Sequence, residues 1–362
     1  MISMLVAWAD PFLLRGSEWL TSRDMDAYNR TGKFINYTHV IMCQLGAMFI
    51  ALGLAGYATN PSVALFPFAI GSLWLGVALS PRSMPPRTTM IAIGVICVSA
   101  LLAIPFAKNL PPTILLAWLT VALLPLIFVR NPYIWVWFMP AWIVHAVLCF
   151  WQWFVLHESR VSGITGNANS AAALLLIGCI YLLNGQSRVR WVILALLVAI
   201  LFTGSRWTVG VSAVTLMALF LMKYVNWKYI AVGIIVAVLV TLIVDWTAIQ
   251  SIFLRHSTLE AHLTGAGMAT ESAGLRFWPQ GFTDNGIHSV PWRMMHETGV
   301  LSGVAWIVAS GYGLFRYWRA KDSRWWMFLT VVLLSLMYYH AWLGPLAGFW
   351  WLLVRPSKLS VE

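Results

Sequence analysis

The chain has 362 residues, of which 60% are apolar and only 10% charged, and its mean hydropathy is +0.78. Soluble domains carry about 25% charged residues, and the apolar residues here form long runs instead of the short periods of soluble strands and helices. These values exclude a disordered chain, a secreted disulfide scaffold and a water-soluble enzyme. They predict an all-α fold, a polytopic bundle of transmembrane helices.

Taken in chain order, the sequence offers about twelve apolar segments near the roughly 20 residues that a membrane-spanning helix needs. We predict spans at 36–57, 61–80, 88–107, 112–129, 133–156, 168–184, 189–204, 207–222, 228–248, 297–316, 325–340 and 341–354. Most connections are short, but 157–167 forms a modest loop and 249–296 a long loop before the tenth span. No repeat or low-complexity linker divides the chain, so 1–362 is predicted to be one membrane domain that includes a cytoplasmic N-terminal segment at 1–35 and the long periplasmic loop at 249–296.

The net charge of +11 follows largely from membrane topology. With both termini in the cytoplasm, seventeen of the 23 Lys and Arg residues fall on the cytoplasmic face, as the positive-inside rule requires. A nucleic-acid partner is therefore not predicted. The four cysteines lie inside apolar runs without CxxC spacing, so neither a disulfide, a metal site nor a cofactor is predicted.

Six cations remain on the predicted periplasmic face, and five of them are arginines. A guanidinium is a planar fork that binds two phosphate oxygens at once, so this set favours an anionic ligand such as phosphate. Pairing with outer carboxylates, or contact with lipid headgroups, is the alternative for each of them. The six cations are Lys108, Arg160, Arg206, Arg255, Arg276 and Arg293.

Two short outer motifs combine an arginine with turn residues. In Arg160–Asn169, two glycines permit tight turns, and Asn167 or Asn169 can cap the following helix, whose N-terminus attracts anions. Capping alone would also explain both asparagines. In Thr203–Arg206, Arg206 is predicted to lie in a turn beside Ser205, too short to leave the membrane surface. Polar residues at such depth are candidates for function.

The long loop carries a third motif, with Arg276 and Trp278 followed by Asn285–Gly299. Ser289 followed by Pro291 predicts a helix start, which leaves His288 just before the helix and open to a cavity. His288 is therefore the best candidate for a general base. Arg293 and Glu297, four residues apart, are expected to pair on the helix surface.

These residues resemble the O-antigen ligase and polymerase superfamily of bacterial membrane glycosyltransferases. The ligases carry a His, ten residues and a Gly in a long outer loop, and His288 to Gly299 has that spacing. Thr203–Arg206 resembles the family's Ser-Arg turn, Gly166–Asn169 its Gly and Asn stretch, and Arg276–Trp278 the segment before its His. The resemblance covers roughly residues 155–320.

The resemblance implies glycan transfer from a polyprenyl (undecaprenyl) diphosphate to an acceptor glycan or lipid A core, at the periplasmic face of the bacterial inner membrane. His288 would be the catalytic base, and Arg206, Arg276 and Arg160 would bind the diphosphate without a metal. Supporting positions would be Ser205, Asn167, Asn169, Trp278, Arg293, Glu297 and Gly299. Membrane lipid would surround the bundle and the polyprenyl tail. Ligase and polymerase chemistry both stay open.

Two other readings start from different residues. Asp24-Met-Asp26 has the DxD spacing of metal-dependent nucleotide-sugar transferases, but about 35 residues before the first span are too few for a nucleotide-binding domain. A transporter or flippase for a lipid-linked or other anionic substrate would instead use ionisable residues in or beside the spans. His39, His145 and Asp245 are the candidates for that role.

Overall fold

A computed structural model describes residues 33–57, 66–80, 85–106, 133–158, 160–165, 167–184, 190–224, 289–336 and 345–354, with residue 131 and isolated positions between 115 and 124. Within these ranges the chain is helical and forms no β-strand. The helices are α1 (Lys33–Tyr57), α2 (Phe66–Leu79), α3 (Arg87–Ala103), α4 (Ile134–Phe154), α5 (Ala168–Asn184), α6 (Arg190–Phe202), α7 (Arg206–Tyr224), α8 (Val290–Glu297), α9 (Val300–Arg319), α10 (Arg324–Ser335) and α11 (Pro345–Leu353).

The helical fold class is confirmed, and ten of the twelve predicted apolar segments coincide with a helix. Most of 112–129 and all of 228–248 lie outside the described residues. Two helical stretches, Arg87–Phe106 and Ile134–Phe154, are long and apolar enough to cross a membrane, and the former includes a 3-10 turn after α3. The number of spans and their orientation stay predictions.

The first two helices cross at very short distance because glycines line their contact. A Cβ on Gly53 would lie 2.7 Å from the Cα of Leu73, and one on Gly76 would lie 2.6 Å from the backbone nitrogen of Ile50. Small residues let two helix backbones approach closely. A larger side chain at either glycine would separate α1 from α2.

Asn131, just before α4, joins that helix pair to the rest of the bundle. Its buried Nδ2 donates to the carbonyl of Cys43 on α1 at 2.7 Å and to Oγ of Ser80, at the end of α2, at 3.0 Å. The indole of Trp137 on α4 donates to Oε1 of Gln44 on α1 at 2.7 Å. Polar side chains thus fix how α4 lies against α1.

Helix α5 forms the centre of the described bundle. Every residue from 171 to 180 is buried, and α4, α6, α7, α10 and α11 all pack against α5. Its beginning is therefore held in place by several helices at once. The residues that precede α5 belong to the first outer motif, so the fold supplies a rigid base for that motif.

Candidate functional site

The segment that joins α4 to α5 is held against α4 by two side chains of that helix. Oε1 of Gln152 accepts from the backbone nitrogens of Ser162 at 3.0 Å and Gly163 at 2.7 Å. Nδ1 of His145 accepts from the backbone nitrogen of Ile164 at 3.2 Å. Gly163 has a φ of +54°, and a Cβ there would lie 2.3 Å from the imidazole of His145, so this position needs glycine.

The two asparagines at the start of α5 have different roles. Oδ1 of Asn167 accepts from the backbone nitrogens of Asn169 at 2.9 Å and Ser170 at 3.3 Å, which is the pattern of an N-cap. The predicted cap is thus confirmed for Asn167. Asn169 instead turns its Oδ1 to the side chain of Arg160, at 2.9 Å from Nη2.

Arg160 connects the first outer motif to the second. While Nη2 donates to Asn169, Nε donates to the carbonyl of Thr203 at 3.1 Å, in the turn between α6 and α7. The backbone nitrogen of Val161 donates to the carbonyl of Phe202 at 3.3 Å, which ties the same two segments together. Arg160 itself is exposed. Two motifs more than 40 residues apart therefore meet at one guanidinium.

The turn after α6 comprises Thr203, Gly204 and Ser205. Gly204 has a φ of +61°, and the backbone nitrogen of Ser205 donates to Oγ1 of Thr203 at 3.2 Å. The buried hydroxyls of Ser205 and Thr208 share a hydrogen bond of 3.0 Å across the first turn of α7. The prediction that Arg206 lies in the turn is wrong, because Arg206 is the first residue of α7. Its side chain lies outside the described residues.

Helix α8 begins after Ser289 with Pro291 in its first turn, as the sequence predicts. Arg293 and Glu297 do pair, with 2.7 Å between Nε and Oε1, but the predicted place on the helix surface is wrong. The two side chains are 1% and 0% exposed. Helix α8 also packs against α9, where a Cβ on Gly303 would lie 2.7 Å from the carbonyl of Pro291.

Gly299 separates α8 from α9 and begins what the sequence predicts as the next span. Its φ of +96° and ψ of 154° form a backbone conformation that side chains other than glycine's scarcely tolerate. The hydroxyl of Ser302 donates to the carbonyl of Gly299 at 2.8 Å, and that of Thr298 donates to the carbonyl of Met294 at 2.8 Å. Gly299 thus forms a sharp bend between two packed helices, and its supporting role at the site stays a prediction.

Three predicted site residues, His288, Arg276 and Trp278, lie outside the described residues, as do Asp24 and Asp26. Whether His288 meets Arg160 and the start of α7 stays a prediction. The structure adds Gln152 and Thr203, whose role sequence reasoning missed. A polar Gln152 near the end of an aromatic helix is a sequence signal for a hydrogen bond, whereas nothing in the sequence marks the carbonyl of Thr203 as an acceptor. Nδ1 of His145, a candidate residue of the transporter alternative, accepts a hydrogen bond from the backbone of the α4–α5 segment.

No protein-family model and no curated protein matches this chain.

Proposed function

We propose that this chain is a membrane glycosyltransferase of the O-antigen ligase or polymerase type. It would move a glycan from a polyprenyl (undecaprenyl) diphosphate to a sugar hydroxyl of an acceptor glycan or lipid A core. The observation that carries the proposal is the meeting of Arg160, the start of α5 and the α6–α7 turn, because this places an arginine beside the N-termini of two helices.

Those two N-termini make the cluster favourable for an anion. A helix carries about half a positive charge at its N-terminus, where backbone N–H groups lack partners within the helix. α5 begins at Ala168 and α7 at Arg206, and Arg160 is hydrogen-bonded both to the first turn of α5 and to the residue three before α7. A diphosphate bound there would meet two helix dipoles and the guanidinium of Arg160.

The chemistry needs such charge more than it needs a proton donor. Attack of a sugar hydroxyl on the anomeric carbon releases a lipid diphosphate, whose negative charge grows in the transition state. Donors that are already fixed in place stabilise this charge without reorganising during the reaction. Hydrogen bonds at Nε and Nη2 fix the Arg160 guanidinium in this way. Arg206 and Arg276 would complete the diphosphate site, and His288 would accept the proton of the acceptor hydroxyl.

Large apolar side chains on the outer faces of the helices support a place in the bacterial inner membrane. Phe68, Leu194 and Val214 are 77%, 64% and 65% exposed. In water such side chains would cost free energy, whereas hydrocarbon chains would solvate them. We propose that the twelve predicted segments cross the membrane, with both termini in the cytoplasm and the site at the periplasmic face, where the polyprenyl tail lies between helices.

The test is a glycan-ladder assay with membranes that contain each variant. His288→Ala and Arg206→Ala should abolish transfer while the protein still inserts, because the base and one diphosphate ligand are lost. Normal ladders from both variants would contradict the proposal. Transfer that survives a chelator would separate this mechanism from a metal-dependent one that uses Asp24 and Asp26.

A null strain distinguishes the two reactions. Loss of all long glycan from the lipid core identifies a ligase, since nothing then joins the finished polymer to its acceptor. A core that carries a single repeat identifies a polymerase. The two patterns are read from the same gel.

A further inference from the structure

Between Arg160 and the start of α5, four consecutive backbone amides have partners outside their own segment. Val161 donates to the carbonyl of Phe202, Ser162 and Gly163 donate to Oε1 of Gln152, and Ile164 donates to Nδ1 of His145. A loop normally leaves such groups to water. Here the main chain just after Arg160 is fixed to α4 on one side and to the end of α6 on the other.

Gln152 supplies half of these four contacts with a single atom. Its Nε2 also donates to the carbonyl of Gly163 at 3.4 Å, so both ends of the amide contact Gly163. The side chain is partly buried in the last turn of α4. The backbone carbonyl of Gln152 accepts from the nitrogen of Glu158 at 3.0 Å, so the same residue also holds the start of the loop.

The helix that bears Gln152 is itself fixed against α6. The rings of Trp153 and Phe202 stack with centroids 4.6 Å apart and planes only 2° apart, and Phe150 and Phe154 meet Phe202 edge-on. Gln152 and the α6–α7 turn therefore share one rigid base. A contact from Gln152 to the loop sets the position of Arg160 relative to the carbonyl of Thr203.

We infer that Gln152 is a positioning residue for Arg160, acting through the backbone of Ser162 and Gly163 and not through contact with substrate. The inference rests on the proposed function for its catalytic consequence. Its structural part, the fixing of the loop, holds for any activity. A shift of about 1 Å in a group that stabilises a transition state can cost about a hundredfold in rate, so loss of two loop contacts is expected to reduce transfer strongly.

Two substitutions separate the acceptor oxygen from side-chain volume. Gln152→Leu fills similar space but accepts no hydrogen bond, whereas Gln152→Glu keeps an oxygen for both amides. Gln44→Leu is the matched control, since it makes the same change on α1, where Gln44 accepts from the indole of Trp137. Should Gln152→Leu fail to accumulate in membranes, Gln152→Asn, which is too short to reach both amides, takes its place.

The first measurement is hydrogen exchange of the full-length protein in detergent, read on peptides that cover 157–167. Gln152→Leu should speed exchange at Ser162 and Gly163 by at least about tenfold, while Gln152→Glu and Gln44→Leu leave it near that of the unaltered protein. Unchanged exchange in Gln152→Leu, or an equal rise in Gln44→Leu, would overturn the inference. This readout needs no activity, so it decides the positioning role even if the chain transfers no glycan.

The second measurement is a double-mutant cycle with Arg160→Ala in the glycan-transfer assay. If Gln152 acts through Arg160, Gln152→Leu lowers transfer tenfold or more when Arg160 is present. The same substitution has little further effect in the Arg160→Ala background. Equal losses in both backgrounds would show that Gln152 acts elsewhere and would overturn the inference. Absence of transfer by the unaltered chain contradicts the proposed function instead, so the two failures are distinguishable.

Discussion

Two arginines that the sequence assigns to the same outer face have opposite surroundings in the structure. Arg160 is exposed, and its guanidinium is fixed by a backbone carbonyl and by Asn169, neither of which neutralises its charge. Arg293 is buried on α8, where Glu297 neutralises it. The first arrangement keeps a positive charge available at the surface, and the second removes one from it.

The partners of an arginine near a proposed anion site decide whether its charge is available to a ligand. A guanidinium held by neutral acceptors keeps its positive charge available to a ligand, while the charge of one paired with a buried carboxylate is neutralised by that carboxylate. Arg160 therefore fits the proposed role in binding diphosphate, and Arg293 fits a structural role within the packed bundle. Substitutions at the two positions should separate loss of activity from loss of stability.

The largest expected effect is the loss of stability in Glu297→Ala. Removal of one partner from a buried ion pair leaves the other charge buried without that partner, which lowers the free energy of unfolding by about 3–5 kcal/mol. Thermal unfolding in detergent should show a clear fall in Tm. Glu158→Ala, the same change at a partly exposed carboxylate, is the control. A Tm unaltered in Glu297→Ala would refute the assignment of a structural role to this pair.

A smaller loss of stability is expected for Gly299→Ala. The φ of +96° at this bend is strained for alanine, by about 1–3 kcal/mol. Gly311→Ala on α9 is the matched control, because a Cβ there meets nothing within 4 Å. Equal melting temperatures for the two variants would argue that the bend is not required.

Arg160→Lys should act on transfer and leave stability nearly unchanged. Lysine keeps the charge but loses the planar fork that binds Thr203 and Asn169 together, so we expect roughly tenfold slower transfer, or about 1.4 kcal/mol in the barrier. Arg319→Lys, at an exposed arginine on α9, provides the comparison. If Tm fell along with the rate, Arg160 would resemble Arg293 and the contrast between the two would be lost.

The smallest expected effect is a difference between alanine substitutions at Asn167 and at Asn169. Asn167→Ala removes the cap of α5 and should lower the free energy of unfolding by about 1 kcal/mol, visible as faster hydrogen exchange in the first turn of that helix. Asn169→Ala should spare this exchange and lower transfer instead, since Asn169 holds the guanidinium of Arg160. The reverse pattern would show that the assigned roles are exchanged.

The helices were predictable because long apolar runs have few alternatives to a helix once polar backbone groups must be satisfied. The start of α8 was equally readable from Ser289 and Pro291, and the cap of α5 from Asn167. Each of these features depends on neighbours within a few residues. The sequence therefore carried most of the local structure.

The partners of the arginines were not predictable, because they come from distant or backbone groups. Nothing in the sequence distinguishes Thr203 as the acceptor for Arg160, since any residue has a carbonyl. The i to i+4 spacing of Arg293 and Glu297 shows that the two can pair, but it does not show that both side chains are buried. Which charges stay available is set by tertiary packing.

The contacts of Asn131 have a consequence for the order in which the bundle assembles during synthesis. Its amide binds Cys43 and Ser80, which precede it by 88 and 51 residues, so both acceptors emerge from the ribosome long before their donor. The glycine-lined crossing of α1 and α2 needs no later residue and can form first. Asn131, which emerges later, can then join that pair to α4.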